Sequence, residues 1–449
     1  MKLEPAFAAK SAADGKARRK AVPRAAHGTW EPASDRPDPL GLIDASAQGR
    51  LTSLLPLRNA RVSQSAFSFF RGSSMVMAAD LATTPVSGIM VQACGDAHCM
   101  NFGGFATPER NVVFDLNDFD ETLPGPWEWA VKRLVTSVML AARHNGFKAR
   151  GADAVTLATA AAYRTRMAYL AAMPALDVWY TRIDAVKILD KATDGNVRRL
   201  RSRIVEPGAT EPIRAVVAKL TERRDGVWRF REDPPLLVHS VVTERDGFDI
   251  ADILGSYQQN LRDDVAELFS RYRLIDNAIK IVGVGSVGTR CGIALLAADD
   301  HDPILLQVKE ARASVLEAHL PRSKYLHHGE RVVRGQRLMQ TASDVFLGWG
   351  SSGKRSFYVR QFKDMKASAD LDGVGPLQLT EYGEACAYAL AHAHARSGNA
   401  AAIAGYLGKS ATFDRALLGF AAAYADRAEL DYRAFSARTS IRAASNGAQ

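Results

Sequence analysis

The residues of this chain best suited to chemistry lie in GDAHCMNFG, residues 95–103, where Asp96 and Asn101 stand five positions apart after an apolar run. A carboxylate able to orient a substrate hydroxyl, followed by an amide able to bind a metal, is the layout of a phosphoryl-transfer catalytic loop. The run VVFDLNDFDE, residues 112–121, then supplies Asp115, Asp118, Asp120 and Glu121. Carboxylates so close together repel unless a cation or a basic partner holds them. Mg²⁺ is such a cation, since it is hard and takes oxygen donors. Asp118, followed by Phe119, is the first choice as its ligand beside Asn101. Asp115 is the reserve, because strand alternation turns the two to opposite faces. The competing role for these acids is to cap a helix that starts near Pro126.

A second constellation is VGVGSVGTR, with Gly283, Gly285, Ser286 and Gly288 in a glycine-rich turn. Backbone without a Cβ can approach phosphate oxygens. In a dinucleotide fold such a turn opens a helix, and an acid follows some way on. In a nucleotide lid it joins two antiparallel strands, and a lysine follows on the third. Lys309 and Glu310 are adjacent, so both readings find their residue. TRCGIALLA is too short for a crossover helix, and ILLQVKEA reads as a strand carrying Lys309. The lid reading therefore takes precedence, with ATP as the ligand. A lysine that reaches phosphates needs a carboxylate to position it, and Glu317 is the candidate, with Glu330 as the alternative. Arg58, Arg61 and Arg71, upstream among aromatics, suit either an anion or structural ion pairs.

These motifs need elements to hold them. Apolar spacing predicts a helix over 73–81, a strand into the 95–103 loop, and a long helix from GPWEWAVKRL to Gly146. The region 151–275 reads as helical, 276–365 as β-rich and 366–440 as helical again, with 41–150 carrying the catalytic loop and metal ligands. That order implies an α+β protein with a small sheet-rich lobe and a large helical one. Residues 1–40, rich in Ala, Pro, Lys and Arg, read as a disordered basic tail.

With 449 residues and 47% hydrophobic content, the chain can bury a large core. No run of roughly 20 apolar residues is present, so no membrane span is expected. The net charge of +9 suits a substrate bearing phosphates, whereas nucleic acid is not an expected partner. Four cysteines make no disulfide framework, which points to a reducing cytoplasm. Cys94 and Cys99 lack a second pair at zinc spacing. His392 and His394 fall on different helix faces.

SAFSFFRG, CGDAHCMNFG, VFDLNDFDE, GPWEWAVKRL, VGVGSVGTR, KEARASVLE, GQRLMQTASDVFLGW, FYVRQFKDMK and LAHAHARSGNAAAIAGYLG resemble a bacterial family known as domain of unknown function 2252. The likeness covers residues 50 to 435. That family is grouped with protein-kinase-like folds, near the aminoglycoside phosphotransferases. The resemblance implies a two-lobed kinase-like fold with Asp96 as catalytic aspartate, Asn101 and Asp118 as Mg²⁺ ligands and Lys309 on the phosphates. In ordinary kinases the glycine turn and lysine precede the catalytic loop, whereas here they follow it, so the fold is expected to be circularly permuted. The helix ending at HAHARSG should then lie beneath the catalytic loop, and Asp96, Asn101, Asp118, Gly285 and Lys309 should line one cleft. The implied activity is transfer of the γ-phosphoryl group of ATP to a hydroxyl acceptor. The alternatives are an ATP-binding pseudokinase, an AMP-transferring enzyme, and an NAD(P)-dependent oxidoreductase using the glycine turn.

Overall fold

The computed structural model describes residues 6–184, 212–239, 248–281, 283, 285–299, 302–362 and 367–446. Parts of the expected helical region (185–211 and 240–247), as well as Asp364 and Lys366 after the last long strand, lie outside them. The N-terminal third holds α1 (Ala6–Ala17), α2 (Pro39–Ala47), α3 (Leu55–Val62), α4 (Ala66–Gly72), α5 (Ser74–Leu81), β1 (Met90–Ala93), β2 (Phe102–Ala106), β3 (Val112–Leu116), β4 (Leu123–Pro126) and α6 (Trp127–His144). Next come α7 (Ala149–Ala171), α8 (Ala175–Tyr180), α9 (Pro212–Leu220), β5 (Thr221–Arg224), β6 (Val227–Phe230), β7 (Leu237–Val238), α10 (Ile250–Gln258) and α11 (Asp263–Phe269). The rest comprises β8 (Arg273–Lys280), β9 (Cys291–Ala297), β10 (Pro303–Ala311), α12 (His328–Met339), β11 (Gly348–Ser352), β12 (Arg355–Gln361), β13 (Ala367–Ser368), α13 (Pro376–Ser397), α14 (Ala400–Leu407) and α15 (Thr412–Asn446).

The protein is thus mixed α+β. Its main sheet has the order β11-β12-β10-β9-β8-β7, with every pair antiparallel. The apolar runs of β9 and β10 follow from burial on both faces. Ala294 and Leu296 pack with Ile253, Tyr257 and Phe357 on one side, while Ile293 and Leu295 pack with Val217, Phe230 and Leu237 on the other. Helix α12 wedges between this sheet and the β4 turn. It comes that close because it carries Gly329 and Gly335, where a Cβ would overlap the Phe357 carbonyl and the Thr122 side chain. The region 151–275, expected to be helical, supplies β5, β6 and β7 and the start of β8, so part of it belongs to the β-rich half. Arg-rich TERR and VWRF have no apolar alternation to announce them as strands.

The helical half is one continuous core of α6, α7, α13, α14 and α15, with Trp127 stacked on Tyr163 at 5.7 Å. The segment 1–40 is a correction to the expected disordered tail. From Ala6 it is helix and short turns packed on α14 and α15. Small residues make this possible: a Cβ at Gly15 would overlap the Ala402 carbonyl, and one at Gly405 the Ala12 carbonyl. The basic residues are tied down as well. Arg19 and Arg24 donate to the carbonyls of Tyr406 (2.8 Å) and Leu407 (2.5 Å) at the end of α14. Arg36 bridges Asp80 and Asp431, 2.7 Å from each, with all three side chains largely covered. No helix among the described residues is long and apolar enough to cross a membrane.

Lys132, on α6, is fully buried, and its Nζ has no hydrogen-bond partner among the described residues. It lies 4.9 Å from the centre of the Phe420 ring. Burial, opposed by Glu128, brings its pKa down to about 7. The unfolded chain keeps this proton up to about 10.5, so between the two values folding releases it and stability rises with pH. Lys132→Met is therefore expected to stabilise the fold by about 1–3 kcal/mol at pH 6, the gain shrinking toward pH 9. Urea unfolding at the two pH values measures this, and a gain that grows with pH would refute it.

Candidate active site

The loop after β1 doubles back tightly at Gly95, which has φ +80° and no room for a Cβ against the Glu121 carbonyl. This contact brings the 95–101 loop against the turn after β3. Asp96 Oδ1 accepts from Arg133 Nε at 2.6 Å and lies 2.5 Å from Nη2. Arg133 projects from α6, donates to the Phe70 carbonyl (3.0 Å) and sits 4.4 Å from the Phe70 ring centre. One carboxylate oxygen is thereby fixed. The other is 3.8 Å from His98 Nε2. Helix α13 packs beneath the loop, with the Tyr382 hydroxyl donating to the carbonyls of Cys99 (2.9 Å) and Phe102 (3.1 Å).

Asn101 Nδ2 donates to the carbonyls of Asp96 (2.9 Å) and Asp118 (3.0 Å). With the amide nitrogen so engaged, Oδ1 is left buried and without a partner among the described residues. A buried carbonyl oxygen without a donor is costly unless something positive meets it. Asn117 Oδ1, which lies nearby on the same cleft, is in the same position. Among the described residues no three His, Cys, Asp or Glu groups converge as a metal set. One amide and one carboxylate is the sparse set that suits Mg²⁺ when phosphates supply the other oxygens.

Lys309, on β10, is 2% exposed and ends 3.2 Å from Asp118 and 2.5 Å from Asp120. Burial by itself would lower its pKa, but the two carboxylates hold it well above the ordinary lysine range. Asp120 also accepts from the Tyr358 hydroxyl at 2.9 Å, and burial raises its pKa. Glu121 accepts from the Val315 N–H and is pushed up to about 7 by burial. The glycine turn joins β8 to the antiparallel β9, so it opens onto a strand and not onto the crossover helix a dinucleotide site needs. Gly283 and Gly288 have φ of +72° and +88°, which only glycine adopts freely. Arg50 holds the carbonyls of Gly285 and Val287 at 2.8 and 2.7 Å, and Arg61 that of Gly283 at 2.6 Å.

Asp96, Asn101, Asp118, Gly283, Gly285, Ser286 and Lys309 line one cleft of about 500 Å³ between the sheet and the helical core. Gly288 does not line it; its carbonyl accepts from the Leu51 N–H. Two expected site residues belong elsewhere. Asp115 is buried on the other face of β3, accepting from the backbone N–H and hydroxyl of Thr341, both at 2.9 Å. Glu317 accepts from the Ser314 N–H in a capping box and lies 3.8 Å from Arg331, so it does not position Lys309. Glu330 pairs with Arg334. Asp118 and Asp120 take the expected place of Glu317 beside the lysine. Arg50 and Arg133 are the site residues that the motifs do not single out, and Asp120, named among the acids, gets no role beside the lysine from them. Arg133 alone leaves a trace, as a cation within the otherwise apolar face of WEWAVKRLV.

No curated protein and no solved structure matches the chain. A family model described as "Uncharacterized protein conserved in bacteria (DUF2252)" matches residues 50–438, and the chain belongs to that family.

Proposed function

We propose that the protein is an ATP- and Mg²⁺-dependent phosphotransferase of protein-kinase-like, circularly permuted architecture that acts on a hydroxyl acceptor. The observation that carries this reading is the meeting, in one cleft, of Asp96, Asn101 with its free Oδ1, Asp118, Lys309 and the glycine turn. In this reading Lys309 and the turn's backbone bind the nucleotide phosphates. Asn101 Oδ1 and Asp118 would hold Mg²⁺, which when bound neutralises phosphate charge. Arg133 anchors one oxygen of Asp96, and the other orients the acceptor hydroxyl and takes its proton as the oxygen attacks the γ-phosphorus. The bond to the β,γ-bridging oxygen breaks, and its electron pair leaves on ADP.

A thermal-shift titration tests this. ATP with Mg²⁺ should raise Tm, ATP with EDTA should raise it far less, and NADH should leave it unchanged. A response to NADH with none to ATP would sink the proposal in favour of a dinucleotide enzyme.

A further inference from the structure

The acceptor end of the cleft has a charge imbalance that the transfer chemistry leaves unused. Asp96 is matched by Arg133 from behind, at 2.5 Å. His98 lines the cleft beside it and is neutral at ordinary pH, burial bringing its pKa down to about 4. Arg71, from the last turn of α4, lines the same cleft as Asp96. Among the described residues no carboxylate pairs with Arg71. Its Nε is sealed from solvent without a hydrogen-bond partner among the described residues, and the guanidinium lies over the Phe67 ring, 5.7 Å from its centre. Its backbone packs against the glycine turn, with the Arg71 carbonyl standing 3.5 Å from where a Cβ of Gly285 would lie. Arg71 therefore shares the cleft with the glycine turn and Asp96, partly buried and with no anion on its guanidinium among the described residues.

A desolvated guanidinium with no anion is unfavourable, and the planar fork it presents matches a phosphate or carboxylate. We infer that the acceptor phosphorylated at Asp96 carries its own oxyanion, a phosphate or carboxylate near the reacting hydroxyl, and that Arg71 binds it. The inference rests on the phosphotransferase reading, since it needs Asp96 to be the acceptor end. It gives the acceptor class a sign. A small hydroxylated anion gains from the unmatched positive charge, whereas an amine-bearing acceptor meets like charge there.

The probes are inorganic phosphate and malonate, titrated calorimetrically into the full chain with and without saturating Mg²⁺ and the β,γ-imido analogue of ATP. Binding of either anion to the nucleotide-filled protein is the expected result, with Arg71→Gln weakening it at least tenfold and Arg71→Lys by less. Nucleotide affinity should stay within threefold in both variants. Tighter phosphate than malonate would mark a phosphomonoester acceptor, and the reverse order a carboxylate. Anion binding that disappears when the nucleotide is added would assign Arg71 to the ATP phosphates, overturning the inference while the phosphotransferase reading stands. Absence of anion binding, or binding that Arg71→Gln leaves unchanged, would overturn it equally. The wild-type competition needs no variant, so a folding defect in Arg71→Gln cannot mask the answer. If the nucleotide analogue itself does not bind, the phosphotransferase reading fails first, visibly and separately.

Discussion

Asp96→Asn is expected to cut ATP turnover, to water or to an anionic hydroxyl acceptor, by about a thousandfold, with ATP affinity unchanged within about threefold. The asparagine is nearly isosteric, and its carbonyl oxygen can still accept from Arg133 Nε, which lies 2.6 Å from Oδ1 in the native loop. What it loses is the second anionic oxygen, the group that orients the acceptor hydroxyl and takes its proton. The charge-assisted bond to Arg133 also becomes an ordinary one, at a cost of roughly 1–2 kcal/mol. Release or transfer of γ-labelled phosphate gives the rate, and calorimetry gives the affinity. A variant that keeps a tenth of wild-type turnover would show that Asp96 is not the acceptor-side group.

The parts of this site legible in sequence are those where a short motif and its element coincide. Asp96 and Asn101 share one loop, and its backbone alone brings the Asn101 amide to the Asp96 carbonyl. The strand character of ILLQVKEA places Lys309, because a strand buried along its length is apolar except where it lines the cleft, as Gln307, Lys309 and Glu310 do. Partner choice across the fold was not legible in the same way. Lys309 takes Asp118 and Asp120, some 190 residues earlier, because the sheet lays β10 over the turn after β3, which no local pattern encodes. The neighbouring motif did hold a clue against Glu317: Ser314 followed three residues on by an acid is a capping box, which uses the carboxylate locally. Asp115 likewise follows from alternation once β3 is known to be regular through Leu116. The N-terminal segment misleads for a different reason. Its order comes from close backbone contact at Gly15 and Gly405 and from arginines that satisfy helix-end carbonyls, and a tally of large apolar side chains registers neither.

The second large effect is expected at Lys309. Lys309→Met keeps the length and packing of the stem but removes the cation between Asp118 and Asp120. Affinity for ATP with Mg²⁺ should fall at least tenfold, because a buried, preorganised charge on the phosphates has no replacement on β10. The fold should lose about 1–3 kcal/mol and no more, since both carboxylates keep some access to water, with side chains 38% and 28% exposed. The same substitution separates two roles for the acids. In the native protein Lys309 competes with any cation for Asp118, so Mg²⁺ alone should raise Tm little. With the lysine gone, the freed carboxylates and the unpartnered Asn101 Oδ1 should take up Mg²⁺, and the rise in Tm on adding it should exceed that of the wild type. Thermal unfolding with Mg²⁺, with EDTA and with Mg²⁺ plus ATP reads all three effects in one series. A variant that binds ATP as the wild type does would remove Lys309 from the nucleotide site. A variant that loses ATP but shows no added response to Mg²⁺ would leave the lysine its role and take the metal from Asp118.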